Sequence, residues 1–487
     1  MRSKNLTIFL VLVIMIGAFL LRAYEIQLRP LHHDEGVNFH FLKEIGAKGY
    51  YQYSHLNYHG PLYFYISELF LNIFGDNELG LRLASIVSGM ALVALPFFIM
   101  ESLGGGFAII AALFMALSPS LVFHSRYAIH EMLFLLLSVW FAVANFKWFN
   151  SRHKSDLYQI FISLAFLIAT KETFVITGAA TILGLFFAFG FRPVLTQIAR
   201  HWQYYGGPFV VLSILLLGTF SGGFQWLGGI HEMFLAVPQW IGRGTGDVGH
   251  FKPFLFYTKV ILVTEPYLIV FFVLAVLFFV ALLIPPLRRT NLGQIIWQDR
   301  FLRFLLGLSL GFWLIYGLVS YKTVWLIISQ TAAMILLMAR ILYLSLVSTS
   351  AMYRGLCGCL GLVVIGISAN NSLYFNFTEP YSQNHPYCYV HTSEGMLRLV
   401  SDIKKYQQNH PNAKILVGVN SYWPLPFYLR DYASLVAYQT STNPQAQSSK
   451  FDILIVDADY TADIPGWIKK YYRLSGVQES NTYFLIK

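Results

Sequence analysis

"MRSKNLTIFLVLVIMIGAFLLRAYE", residues 1–25, is a basic start followed by an apolar run of membrane length. The hydrocarbon core of a bilayer is about 30 Å thick and takes roughly 20 apolar helical residues to cross. No small-residue cleavage site follows, so the run is expected to be a retained first span rather than a signal peptide. A few residues further on comes "LHHDEGVNFH" (31–40), two histidines and two adjacent carboxylates beside the bilayer. Such charges are either hydrated surface or chemistry, and the rest of the chain decides between these.

The composition extends the membrane reading to the whole chain. Of 487 residues, 56% are hydrophobic and 12% are charged, against about 25% charged in a soluble domain. Mean hydropathy is +0.55. Aromatics reach 17%, which suits interfacial belts and sugar-stacking surfaces. The net charge of +10 is scattered over short loops, as the positive-inside bias produces; no nucleic-acid partner is expected. Cys357 and Cys359 sit in an apolar run and Cys388 is alone in the tail, so neither a disulfide framework nor a zinc spacing exists.

Membrane-length runs fall near 5–22, 79–100, 106–123, 131–149, 157–170, 172–190, 207–221, 264–284, 302–320, 323–345 and 355–370, about eleven spans. The basic loops "KWFNSRHKSDLY" (147–158), "FRPVLTQIARHW" (191–202) and "PPLRRTNLGQIIWQDRFLR" (285–303) alternate on one side, expected to be cytoplasmic together with Met1. "HHDEG", "HSRYAIHE", "TKE" and "SYKTVW" then share the outer side, as does the C-terminal tail. In the outer loop, "PLYFYISELFLNIFG" (61–75) follows a His-Gly-Pro start signal; it reads as a helix in the interface plane, or alternatively a re-entrant segment. After about 371 the pattern becomes that of a soluble α/β unit. "EGMLRLVSDIKKYQQNHP" has helical periodicity with a stop signal, and "KILVGV", "SLVAYQ", "FDILIVDAD" and "TYFLIK" read as strands. The expected organisation is a multi-span domain over 1–370, with interfacial helices in the external loop 23–78, and an external α/β domain over 371–487.

Four outward features carry ionisable groups: Asp34 and Glu35 with His32 and His33; His55, His59 and Pro61 in "HLNYHGP"; His124, Arg126, His130 and Glu131 in "HSRYAIHE"; and the lysines Lys171 and Lys322 at span ends. Singly, each is as well explained by snorkelling or hydration. Together on one face they suit a substrate with a phosphate on a membrane anchor. If a sugar on polyprenyl phosphate passes to a hydroxyl, the acceptor oxygen needs a carboxylate base. The departing phosphate needs only positive charge. His55, His59, Asp34 and Glu131 also offer a nitrogen/oxygen shell for a divalent metal ion, the one cofactor considered, although no sharp metal motif is present. In the tail, Trp423, Tyr428 and Arg430 of "YWPLPFYLRDY" are read first as core of the small domain and second as a lid over the outer face.

"HHDEG", "YHGPLYFY", "ALSPSLVFHSRYAIHEM", "LIATKETF", "SYKTVW" and "YWPLPFYLRDY", in this order, resemble the dolichyl-phosphate-mannose protein mannosyltransferase-related family of the GT-C superfamily, in a prokaryotic branch often labelled flippase activity-associated. That label is not evidence of an activity. The resemblance implies a GT-C-like polytopic α-helical membrane protein and a polyprenyl-phosphate-linked sugar donor. It also implies a catalytic carboxylate in the first external loop, matched here by Asp34 with Glu35 as neighbour. The second acidic position falls on Glu131, where relatives more often carry Asp. Arg126 and Lys171 resemble phosphate-holding positions, and Val324 stands where a commoner Lys-Thr-Pro-Trp pattern has proline.

The expectation is therefore an inverting glycosyltransferase in the plasma or inner membrane, with the α/β domain outside. Its catalytic candidates are Asp34, Glu35 and Glu131; its phosphate-binding candidates are Arg126, Lys171, Lys322 and His59; its metal-ligand candidates are His55 and His59. The acceptor would be a protein, lipid or glycan. A lipid-linked-sugar flippase or transporter, or a noncatalytic envelope-glycan assembly factor, is the alternative.

Overall fold

The computed structural model describes residues 2–57, 59–98, 103–245, 250–348, 351–382, 384–389, 391–419, 421–439, 447–457, 464–475 and 481–486. The first run becomes helix α1, Arg2–Ala23. Its flank of Leu6, Phe9, Leu12, Val13, Ile16, Phe19 and Leu20 is exposed, the pattern of a helix whose outer solvent is lipid. The chain is an integral membrane protein. Among the described residues, six helices are long and apolar enough to cross a bilayer, and nine candidates result when three bent pairs are each one span.

The bends correct the expected spans, and their causes are local. The run at 106–123 is two helices, α5 (Gly105–Leu117) and α6 (Pro119–Ser125), meeting at 63°. Pro119 cannot donate into the ladder and forces Ser118 out of helical geometry. The span expected from 264 begins at Pro266, after a 120° bend from an unforeseen helix, Phe256–Thr264. The run at 172–190 turns by 109° at Gly190 (φ 87°) into an amphipathic helix, Phe191–Arg200. The expected spans near 157–170 and 207–221 are helices of 15 residues each, Lys154–Ile168 and Gly206–Phe220. At 1.5 Å per residue each is about 22 Å long, short of a full crossing. The run at 79–100 is α4, Glu78–Phe98; its last two residues lie outside the described residues.

Two of the breaks meet and are closed by side chains. Glu265, fully buried, accepts from the hydroxyls of Ser118 and Ser120 at 2.8 Å each and from Tyr267 at 3.2 Å. Asn371 and Asn376, near the end of the last long helix, donate to the carbonyls of Thr264 and Pro119. Irregular backbone inside a bundle persists where its freed polar groups find such partners.

The stretch between α1 and α4 contains more regular structure than the sequence displayed. α2 runs from His33 to Lys48, and α3, the helix expected at 61–75, from Leu62 to Phe74. "LHHDEG" is the start signal of α2. The Asp34 amide donates to His32 Nδ1, and Glu35 reaches back to the His32 amide, a reciprocal cap. Gly49, left-handed at φ 82°, ends the helix.

Beyond the last long helix, a five-stranded sheet has the order β2-β1-β3-β5-β4. β1 (Ile415–Val417), β2 (Val436–Tyr438) and β3 (Ile453–Asp457) run parallel, while β4 (Ile468–Arg473) and β5 (Asn481–Ile486) are antiparallel to their neighbours. Four strands match expectation, although residues 458–459 of "FDILIVDAD" and residue 487 of "TYFLIK" lie outside the described residues. β4 was missed because "IKKYYR" is an edge strand, mostly exposed and without apolar alternation. Met396, Leu399, Val400 and Ile403 of the helix Glu394–Asn409 pack in one core with Ile415, Val417, Ile453 and Ile455. Leu416, Leu454 and Val456 face the other side, as period-two alternation requires.

Candidate active site

The start of α2 is clamped between the bundle and the C-terminal region. A Cβ on Gly36 would lie 2.7 Å from Pro424 Cβ, so this glycine lets the Trp423–Pro424 segment press against the helix. The Leu31 amide donates to the Tyr428 hydroxyl at 2.8 Å, and Thr392 Oγ1 donates to the Leu31 carbonyl at 2.5 Å. Phe427 packs edge-on against Phe39 of α2, ring centres 4.9 Å apart. Of the tail motif, Tyr428 is buried with Phe427, as the core reading expects, whereas Trp423 lies beside α2, its ring 6.4 Å from that of His33.

Neighbouring carboxylates are sent to opposite fates by this clamp. Glu35 is fully buried, with Arg82 Nε on Oε1 at 2.7 Å and Arg82 Nη2 on Oε2 at 2.8 Å. It also accepts from the Ala128 and His32 amides. Burial would raise its pKa; the charge and hydrogen bonds of Arg82 overcome that and hold it below the usual range. A carboxylate with four donors is a structural staple, which corrects its assignment as a catalytic candidate. Asp34, one residue earlier, is 40% exposed and faces a cavity of about 480 Å³.

Glu131, at the start of helix α7 (Glu131–Ser151), lines the same cavity. So do five histidines: His32, His33, His59, His130 and His250. Gly60 explains how His59 arrives: a Cβ there would fall 2.2 Å from the Ala169 backbone, and the Gly60 and Leu62 amides donate to Thr170 and Ala169. "HGP" is thus pressed onto the "ATKET" turn. His59 Nδ1 meets Glu172 at 3.0 Å, while Lys171 Nζ is hydrogen-bonded to Glu131. Trp325, Tyr389 and Tyr321 complete the aromatic wall, and the Tyr389 hydroxyl is hydrogen-bonded to His250. Val324 begins a short 3-10 turn, Val324–Leu326, without the proline of the commoner pattern.

A hydrogen-bond pattern describes one histidine of the cavity and burial another. His32 Nδ1 accepts from the Asp34 amide, so the proton sits on Nε2, which donates to the Tyr389 carbonyl at 2.6 Å. His32 is therefore a neutral ring 3.7 Å from Asp34, not a counter-ion. His130 is pushed well below its ordinary pKa by burial, with His59 and Lys171 adding to the effect. It is neutral, and its Nε2 is buried with no hydrogen-bond partner among the described residues.

The other expected cations are elsewhere. Arg126 turns away from the cavity and donates to the carbonyls of Leu21, Arg22, Tyr24 and Glu25. A guanidinium is the natural group to close the carbonyl end of α1. Lys322 donates to the carbonyls of Val319 and Lys252. Its own amide binds the His250 carbonyl, so it holds the loop that carries His250. Neither lines the cavity. His55 is turned to Glu232, with Nδ1 and Oε2 2.5 Å apart, and does not share a site with His59. Among the described residues no group of three or more His, Cys, Asp or Glu side chains is set to hold a metal ion. The proposed donor set does not fit one, and no step below runs through a metal. Glu172, His250 and Tyr389 were not singled out from sequence, and His130 was named there but given no role. Glu172 adjoins Lys171, which was chosen; His250 and Tyr389 lie in loops without a motif.

With this geometry in place the comparisons can be read. Residues 58–217 match the family model for dolichyl-phosphate-mannose-protein mannosyltransferase, a stretch containing "YHGPLYFY", "HSRYAIHE" and "ATKET". No curated protein matches the chain. The structure of ArnT from Cupriavidus metallidurans bound to undecaprenyl phosphate superposes with a TM-score of 0.59 at 14% identity, covering 99% of this chain and 98% of that one. The apo ArnT structure gives 0.61 at 12%, covering 100% and 98%. The chain has the GT-C fold. The resemblance carried by the motifs is borne out at that level. In this GT-C fold the cavity lies where the loop between α1 and α4 meets the start of α7, and the C-terminal sheet region packs over the same end.

Proposed function

We propose that the chain is an inverting glycosyltransferase that moves a sugar from a polyprenyl-phosphate-linked donor to an acceptor hydroxyl at the outer face of the plasma or inner membrane. One observation carries the reading. Two carboxylates remote in sequence, Asp34 and Glu131, line one cavity at a helix end of an integral membrane protein, and only Asp34 lacks a cationic partner at hydrogen-bond distance among the described residues. The family match and the likeness to a polyprenyl-phosphate-binding fold agree with it.

In the proposed step, Asp34 takes the proton of the acceptor hydroxyl as its oxygen bonds to the anomeric carbon. The bond from that carbon to the phosphate oxygen breaks on the opposite face, and its electron pair leaves with the polyprenyl phosphate. A phosphate monoester is a good leaving group, so no general acid is required. His59 lines the cavity, and His130 Nε2, which has no hydrogen-bond partner among the described residues, can donate to the phosphate's charge in the Nε2–H tautomer, with the Lys171–Glu131 pair behind them. Glu131 holds Lys171 and acts as a positioning residue. Trp325 and Tyr389 offer flat faces for the sugar. The α/β region, with Ser421 at the rim, is placed to receive the acceptor.

The test is sugar transfer from a polyprenyl-phosphate-linked donor by the purified full chain, wild type against D34N. Transfer by D34N near the wild-type rate, with its folding intact, overturns the assignment.

A further inference from the structure

α7 has a second cavity at its other end. Its 21 residues span about 30 Å at 1.5 Å per residue, so the two cavities are a bilayer thickness apart. The far one, of about 650 Å³, opens beside Asn150 and Arg152, just past the end of α7. Arg300 and Arg303, at the start of the helix Arg300–Leu318, also line it, and no carboxylate does. The basic loops gather at this end.

These arginines lack partners for a reason visible nearby. Asp299 is the adjacent carboxylate, yet Arg340 takes its Oδ2 at 2.6 and 3.1 Å and the Leu302 amide takes its Oδ1 at 2.7 Å. None of Arg152, Arg300 and Arg303 forms a salt bridge among the described residues. Arg303 Nε is shielded from solvent and bonded to nothing there. The remaining wall is aromatic. Trp297 stacks on Phe279, ring centres 5.5 Å apart and 15° from parallel. The guanidiniums of Arg303 and Arg300 lie 5.7 Å from the Trp297 ring and 5.5 Å from the Phe189 ring. Gly190 and Pro193 bring the amphipathic helix Phe191–Arg200 to the rim, with Phe191, Leu195 and Ile198 exposed.

We propose that this cavity binds the phosphate of an anionic phospholipid headgroup. Three like charges around one hollow repel one another until an anion enters. Guanidinium groups match phosphate oxygens two at a time. Basic pockets between helices at the cytoplasmic side are where anionic headgroups are held. The aromatic wall and the in-plane helix favour a lipid over a soluble anion, because a lipid enters sideways with its chains left in the bilayer. The volume, within the roughly 300–1,000 Å³ of small-molecule sites, suits a glycerophosphate head.

The experiment is native mass spectrometry of the full chain released from mixed micelles containing phosphatidylglycerol and phosphatidylcholine of identical chains. The wild type is expected to retain phosphatidylglycerol about tenfold over phosphatidylcholine. R300Q/R303Q should bring the ratio to within about twofold, while R398Q, in the surface pair with Glu394, leaves it at the wild-type value. A folded R300Q/R303Q protein with the wild-type ratio overturns the proposal. So does displacement of the lipid by millimolar inorganic phosphate, which would make the site one for a soluble anion. If the double variant does not fold, R152Q, at the exposed rim, is expected to lower the ratio about threefold, and an unchanged ratio overturns it equally.

Discussion

The two ends of α7 hold cavities of opposite make-up. At the Glu131 end, two carboxylates stand among five histidines, with Lys171 bound to Glu131 and no arginine in the lining. At the Asn150 end three arginines stand without a carboxylate. A site that only holds an anion is best built from permanent cations. A site that must also remove a proton needs a base whose charge no strong cation quenches, and Asp34 has no Lys or Arg at hydrogen-bond distance among the described residues. On the two proposals made above, the contrast separates chemistry from binding along a single helix.

The largest expected effect is at the carboxylate end. D34N should lower sugar transfer by about 10²–10⁴-fold, the usual worth of a positioned proton acceptor, while thermal unfolding stays near that of the wild type. Neighbouring E35Q should do the reverse. Removing one partner of a buried ion pair costs about 3–5 kcal/mol, so the expected readout is lost yield and a lowered unfolding temperature, with specific activity of the surviving folded protein less affected. If both variants lose activity at unchanged stability, the distinction between a reacting and a stapling carboxylate disappears.

The next effect tests Arg126. Because its donors are spent on the end of α1, R126Q should lower thermal stability yet leave KM for the lipid-linked donor within about twofold, the scatter of substitutions that touch no substrate. A KM raised tenfold or more would return Arg126 to the phosphate.

A smaller effect is expected from pH. The His130 pKa is depressed in the folded chain, so below its ordinary value of 6.5 the unfolded chain binds a proton that the folded chain refuses. Stability should fall as pH drops through and below 6.5, and H130Q should flatten that slope. Glu35, also depressed, adds its loss only below its ordinary 4.5. Unfolding temperature measured from pH 8 to pH 4 separates the two windows; an unchanged slope in H130Q removes the neutral-histidine account.

Much of this was legible in the sequence. Apolar runs of membrane length located most of the long helices, because lipid selects for composition over a whole helix, but not the bends that reduce about eleven expected spans to nine candidates among the described residues. Period and stop signals placed the helix Glu394–Asn409, and four strands, because local patterns specify them. Asp34, Glu131 and His59, which line one cavity, could be singled out because ionisable groups beside a bilayer are costly and so stand out. What could not be read was partnership. Arg126 and Glu35 look as chemical as Asp34 in a string of letters; only packing reveals that one ends a helix and the other neutralises Arg82.

The sequence by itself determined that this chain lives in a membrane, roughly where its long apolar helices lie, and which few polar residues stand beside the lipid, since each follows from composition and period along the backbone. The tertiary structure alone decided which polar groups are spent on one another and which remain to meet a substrate. That depends on distances across the fold: Gly36 and Gly60 let remote segments touch, and a side chain's charge is available only if no neighbour within hydrogen-bond reach has already claimed it.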